Sequence, residues 1–337
     1  MKTIMKSPEE INCVCVLGEG RQGAFVRRKA LADTTPGAVT VQVAYAGLNY
    51  KDALATEPEA RVIRNYPRIA GSDFSGVVVE SADPAFAPGD KVFSCANGIG
   101  VERDGGFADY VRVDRDHLRH LPASLSTFEI AALGVAGITA ALSVHLLEDQ
   151  GLVPGAGPVL VTGATGGVGT MAIEMLARRG HRVVALTGKA SQELVLRELG
   201  ACEVITRLPA EGTPKPLAPA AWAGAIDTVG GETFDGLIRS MKPKACIASV
   251  GNAAGNALVS NLLPFILRGV RIVGVNLTEY APLTEVLLAR LSDEMKPTRA
   301  IGLTQVVGMN EVPRMLQAML RREITGRIVM RPQQSKP

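Results

Sequence analysis

Residues 158–180 read PVLVTGATGGVGTMAIEMLARRG. A short Val-Leu-Val run reads as a strand, Gly163, Gly166, Gly167 and Gly169 punctuate a turn, and apolar residues then recur at helical spacing. Such a turn lets an anion lie against the backbone N–H groups at a helix N-terminus. A Cβ there would hold the anion away, and the glycines at 166 and 169 let the helix sit close to the sheet. Gly163, Gly166, Gly167, Val168 and Gly169 are therefore the expected cradle for a dinucleotide diphosphate. A glycine pattern alone says little; the strand before it and the helix after it supply the context.

The next strand refines this. Domains that bind NAD place a carboxylate about 20 residues past the glycines, where it accepts hydrogen bonds from the adenosine ribose. Here the strand VVALTGK, residues 183–189, ends in Thr187, Gly188 and Lys189, with no acid. An ammonium and hydroxyls attract a 2′-phosphate that a carboxylate would repel. Thr187, Lys189 and Arg207, which ends the following strand, are the expected pocket, and the expected cofactor is NADPH.

Around this centre the chain changes texture. Short β-type runs fill the N-terminal part, among them AVTVQVAYAG, DFSGVVVES and FADYVRVD, with Val39, Val41 and Val43 in alternation. In 121–152, Pro122 precedes two helical patterns, and Ser126 with Glu129 has capping-box spacing. Strand and helix then alternate as far as RIVGVN, a rhythm that demands a parallel sheet with helices on both faces. The tail returns to β-like text around one helix. The fold class is α/β: a barrel-like domain over 1–125, completed by 300–337, and a doubly wound parallel sheet over 126–299.

Composition narrows the partners. A net charge of +3 and 4% aromatic residues give no basic stripe or stacking platform for nucleic acid. The apolar runs are read as broken before about 18 residues, so no membrane span is expected. MKTIMKSPEEINCV does not read as a secretory leader. Five scattered cysteines fit a reducing compartment, and a cytoplasmic protein is the expectation. His117, His120, His145 and His181 each lack a cysteine at ligand spacing, so they are read as structural and the enzyme as metal-free.

Two stretches of the first domain carry candidate chemistry. AGLNYKDALA groups Asn49, Tyr50, Lys51 and Asp52 beside small residues. Asn49 and Tyr50 are read as catalytic, with Tyr50 donating a hydrogen bond to a substrate carbonyl or to the cofactor. Lys51 and Asp52 would serve there or cap the helix that follows. TEPEARVIRNYPRIA carries Arg61, Arg64 and Arg68, of which Arg64 and Arg68 suit the phosphates of coenzyme A, the alternative being exposed solubilising arginines. Asp73, in a glycine-rich entry to a strand, is read as a turn residue.

GLNYKDALA, IRNYP, GSDFSGVVVES, PGDKVF, GGFADYVRV, VTGATGGVG, WAGAIDTVG and PFILRGVRIVGV together resemble the zinc-free medium-chain dehydrogenase/reductases. NYKDALA, LLEDQG, WAGAIDTVG and PFILRGVR are similar to the subgroup of acrylyl-CoA reductases once described as putative quinone oxidoreductases. The resemblance implies a GroES-like domain, a Rossmann domain, NADPH and a homodimer. It implies that Tyr50, the Gly166–Gly169 turn, Thr187, Gly188, Lys189 and Arg207 touch the cofactor, with Asn276 and Arg327 near it. The expected reaction is hydride transfer to the β-carbon of acrylyl-CoA or a similar short 2-enoyl-CoA. The alternatives are an NADPH:quinone or enone oxidoreductase and a non-catalytic NADPH-binding protein. The segment SCANGIGVERDGG, and Asn276-Leu277 in place of the usual Asp-Ser pair, depart from the subgroup.

Overall fold

A computed structural model describes residues 7–18, 20–208 and 215–332. The first six residues, part of the stretch read as lacking a leader, lie outside the described residues. The chain divides into two compact units, residues 1–135 with 304–337 and residues 136–303.

The first unit opens with β1 (Glu10–Gly18), β2 (Arg21–Ala30) and β3 (Val39–Gly47), followed by the short helix α1 (Tyr50–Leu54). Then come β4 (Arg68–Ile69), β5 (Asp73–Ser81), β6 (Lys91–Cys95), β7 (Tyr110–Val113) and β8 (Arg119–His120). Antiparallel pairing dominates: β1 joins β2 and β4, and β3 joins both β5 and β7. Inward side chains such as Val14, Val41, Phe74 and Phe107 fill its core.

α2 (Thr127–Asp149) carries the chain from the first unit into the second. Its ladder breaks at Gly134 (φ 45°, ψ −149°), a conformation that L side chains rarely adopt. A Cβ at Gly134 would also run into Asp73 Oδ2. The first stretch of α2 belongs with the first unit because its groups are held there. Ser75 donates to the Thr127 carbonyl at 2.7 Å, and Asp73 accepts from the Val135 N–H at 2.8 Å. This moves the division ten residues beyond the expected 125/126. α2 is also long and apolar enough to cross a membrane by length and composition, unlike the broken runs expected, but 89% of its apolar window is buried inside the protein.

The second unit alternates β9 (Pro158–Thr162), α3 (Gly167–Arg178), β10 (Arg182–Leu186), α4 (Glu193–Glu198), β11 (Ala201–Ile205) and β12 (Trp222–Asp227). α5 (Gly231–Ser240), β13 (Met241–Ser249), α6 (Leu263–Arg268), β14 (Arg271–Gly274), α7 (Thr284–Ser292) and α8 (Thr298–Gly302) follow. The six strands are parallel in the order β11-β10-β9-β12-β13-β14, the doubly wound Rossmann arrangement. β9 and β10 are buried on both faces, as their Val- and Leu-rich sequences require. Chain order reverses beside β9, so the glycine turn leaves the sheet at its switch point.

The chain then returns to the first unit through β15 (Gln305–Gly308), α9 (Val312–Leu320) and β16 (Ile328–Arg331). β16 pairs with β3, joining the C-terminal segment to the first unit's largest sheet.

Candidate functional site

In the second unit, Gly163 leaves β9 at φ +57°, and a Cβ there would run into the Thr228 hydroxyl. Gly166 caps α3 without a side chain, and the first helical bond runs from Thr170 N–H to Gly166 C=O at 3.0 Å. The N–H groups of Gly167, Val168 and Gly169 thus precede the ladder and have no helical acceptor. A Cβ on Gly166 would meet only the Gly163 carbonyl, at 3.3 Å, so the turn presents bare backbone. Three N–H groups stand at the positive end of a twelve-residue helix, an arrangement that suits an anion such as a diphosphate.

Behind the turn lies a polar brace. Asp227, fully buried at the end of β12, accepts from Thr162 Oγ1 at 2.6 Å and from Gly230 N–H at 2.9 Å. Thr162 Oγ1 accepts in turn from Thr228 N–H at 3.0 Å. Burial pushes the Asp227 carboxyl above the ordinary carboxylate range, and the hydrogen bonds oppose it. The sequence showed Asp227 only as a strand residue; its position directly before the turn text TVGG, residues 228–231, was the available signal.

At the end of β10, Thr187 is buried, Gly188 is exposed and Lys189 is half-buried. Thr187 Oγ1 accepts from Lys189 N–H at 3.0 Å and lies 3.4 Å from Thr165 Oγ1. Arg207 is exposed beyond β11. The fold therefore brings Thr187, Gly188 and Lys189 next to the glycine turn, with Ala164 N–H donating to Leu186 C=O at 3.1 Å across the two. No carboxylate replaces the missing acid within this 187–189 loop. An additional phosphate fits a loop of this charge. Asn276 is exposed after β14, where its Oδ1 accepts from Thr278 N–H at 3.2 Å and shapes a turn.

In the first unit, Tyr50 opens α1 half-exposed, and among the described residues its hydroxyl has no hydrogen-bond partner. The neighbouring Asn49 is different. It is buried, its Nδ2 donates to Asp73 Oδ2 at 2.9 Å and reaches Ser72 Oγ at 3.1 Å, and its Oδ1 accepts from Arg327 at 2.9 Å. Both ends of the Asn49 amide are thus engaged inside the unit.

The Arg327 guanidinium is 3% exposed and donates to the carbonyls of Ala132 (2.8 Å), Leu48 (2.7 Å) and Ala131 (3.2 Å), so it holds the first unit together. It stands 3.8 Å from Asp73, which accepts as well from Gly47 N–H at 2.7 Å. Asp73 is thus the buried centre of a network, where the sequence had suggested a turn residue.

Asp52 joins from α1. It accepts from Asn49 N–H and from Ser72 N–H, each at 2.9 Å, which realises the capping alternative. Burial, with the Asp73 charge nearby, pushes its carboxyl up to about 7 against the pull of those hydrogen bonds. Burial also raises Asp73, although Arg327 opposes it, and lowers Arg327.

The arginines expected to meet coenzyme A separate. Arg64 is exposed. Arg68 lies 3.6 Å from the buried carboxylate of Asp104 and donates to Thr35 Oγ1 at 3.2 Å and Asn65 C=O at 3.3 Å. Its guanidinium is engaged with that loop. Three histidines hydrogen-bond within the protein, His117 to Asn97 C=O, His120 to Ala85 C=O and His145 to Arg290, and His181 is buried 4.0 Å from Glu148. Among the described residues no three His, Cys, Asp or Glu side chains are grouped to hold a metal ion.

Two family models match the chain: the alcohol dehydrogenase GroES-like domain over residues 35–123, and the zinc-binding dehydrogenase over residues 167–293. The chain is 41% identical to the putative quinone oxidoreductase YhfP of Bacillus subtilis, over 91% of this chain and 94% of that protein. It is 38% identical to the acrylyl-CoA reductase AcuI of Ruegeria pomeroyi, over 92% of this chain and 95% of that protein. The crystal structure of the yhdH oxidoreductase from Salmonella enterica in complex with NADP superposes with a TM-score of 0.89 at 36% identity, covering 95% of this chain and 99% of that one. YhfP crystallised with NAD bound gives a TM-score of 0.90 at 38% identity, covering 96% and 99%.

Proposed function

The chain belongs to the medium-chain dehydrogenase/reductases, in the subgroup of acrylyl-CoA reductases and quinone-oxidoreductase-like proteins, and from that premise we propose that it reduces the activated C=C bond of acrylyl-CoA or a similar short 2-enoyl-CoA with NADPH. One observation carries the reading: an uncapped glycine N-terminus on α3 lies beside a β10 loop that offers Lys189 and no carboxylate. When bound, NADPH would supply the hydride for the β-carbon of the thioester, and Tyr50 or water the proton that completes the reduction at the α-carbon.

The chain's own residues have separate tasks. Gly167, Val168 and Gly169 hold the diphosphate by backbone N–H, with Gly163 and Gly166 keeping the turn open. Gly188, Lys189 and Arg207 surround the additional phosphate, and Asn276 borders the nicotinamide end. Tyr50, whose hydroxyl is uncommitted among the described residues, donates to the thioester oxygen as negative charge develops there. A preorganised donor of this kind contributes on the order of 3 kcal/mol. Arg64, exposed in the first unit, receives a coenzyme A phosphate.

NADPH oxidation at 340 nm with acrylyl-CoA, a free enone and a quinone tests the reading. Turnover with the thioester, reduced in Arg64→Ala for the thioester alone, is expected. Faster turnover of the quinone would replace it with the second reading, an NADPH:quinone or enone oxidoreductase, which the 41% identity to YhfP favours.

The same reading carries a cytoplasmic location and a homodimer. Support for the dimer comes from β14, the end strand of its sheet, and from exposed Val259, Leu262, Ile266 and Leu267 in the segment that precedes it in the chain. An open strand edge beside apolar side chains suits a second copy of the same chain.

A further inference from the structure

We infer that Thr165 and Thr187 are positioning residues that set the cofactor preference by fixing the distance between the diphosphate seat and Lys189, a role that rests on the NADPH reading above. A hydroxyl has one proton to give and two lone pairs to offer. Thr187 Oγ1 already accepts from Lys189 N–H at 3.0 Å, and its remaining neighbour is Thr165 Oγ1 at 3.4 Å. Both residues are buried, at 4% and 6% exposure. The Thr187 hydroxyl is thus turned into the protein, away from any ligand in solvent, and its effect on a phosphate passes through Lys189.

Thr165 stands inside the glycine turn and Thr187 at the end of the neighbouring strand. Their contact connects the two loops by side chains, beside the backbone bond from Ala164 N–H to Leu186 C=O. Thr187 N–H donates to Ile205 C=O at 3.0 Å, which fixes the strand end from the other side. The loop that carries Lys189 is therefore tied to the turn that seats the diphosphate. NADH and NADPH share the diphosphate and differ in the ribose phosphate. A change in this tie should be felt by NADPH and little by NADH.

The test is the dissociation constant of each nucleotide, measured by calorimetry on the full chain and on Thr165→Val, Thr187→Val, Thr187→Ser and Lys189→Ala, with melting curves to confirm folding. Valine keeps the shape of threonine and removes the hydroxyl. Thr187→Val should weaken NADPH about tenfold and NADH less than about twofold, the expected size for losing one hydrogen bond at a buried polar group. Thr165→Val should act in the same direction by about threefold, and Thr187→Ser, which keeps the hydroxyl, should restore the wild-type ratio. Equal weakening of both nucleotides by the valine variants, or none, overturns the inference while a Lys189→Ala effect on the ratio leaves the NADPH reading standing. A Lys189→Ala variant with an unchanged ratio overturns both. Should Thr187→Val fail to fold, Thr165→Val decides the matter by the same ratio.

Discussion

A carboxyl that burial holds protonated near neutrality makes folding sensitive to pH. Asp52 has its ionisation pushed up to about 7, whereas the unfolded chain ionises near the ordinary carboxylate value. Between those values the folded state binds a proton that the unfolded state releases. Stability from this group is therefore full in acid and declines as pH rises toward 7, then levels off. Asp52→Asn should flatten that decline: melting temperatures between pH 5 and pH 8 should change less in the variant than in the wild type. Equal slopes would contradict it. Arg327 gives a second prediction. Arg327→Met would leave Asp73 without its counter-charge and the carbonyls of Leu48, Ala131 and Ala132 without their donor, at a cost of about 3–5 kcal/mol in denaturant titration. Arg327→Lys should recover little, since one ammonium cannot span the fork that the guanidinium fills. The sequence could not show this network, because Asn49, a partner of Arg327, lies 278 positions away. Tyr50 and Asn49 look alike in sequence as adjacent polar residues, and only the fold turns one outward and the other inward.

α3 leaves its first N–H groups open because its N-cap, Gly166, has no side chain. Gly166→Asp would accept the observed backbone (φ −79°, ψ 174°) and cap the exposed N–H groups. The variant should melt higher, by about 1 kcal/mol of added stability, and yet bind NADPH and NADH at least about tenfold more weakly, because its carboxylate occupies the seat of the diphosphate and repels it. Tighter binding of either nucleotide would contradict the assignment of this helix end. At this scale the sequence is most legible. The alternation of strands and helices, the Ser126–Glu129 cap and the glycine turn each depend on residues a few positions apart. Glu129 does accept from Ser126 N–H, at 2.8 Å. α7 and α8 are harder to read because no glycine turn or capping signal announces them. The break in α2 is hidden because Gly134 is one small residue among many there, and its shape is fixed by Asp73 from a distant strand.

Two compact units, one of them discontinuous in sequence, describe the whole molecule. The prediction at this scale concerns the apolar border of β14. Ile266→Asp combined with Val259→Asp should convert a dimer to a monomer in light scattering while leaving the melting temperature nearly unchanged, since both side chains are exposed, at 69% and 79%. A wild-type protein that is already monomeric at micromolar concentration would remove the homodimer. The division into units is legible from texture alone, but its boundary is not, because residues 127–135 look like the start of the second unit and are held by side chains of the first. The pairing of β16 with β3 has an outcome in time. Residues 328–331 leave the ribosome after the whole inserted unit, so the first unit waits, missing a strand and the arginine beside it, while residues 136–303 have already emerged. A nonsense mutation just before β16 would thus be expected to spare the inserted unit and ruin the one whose synthesis began earlier.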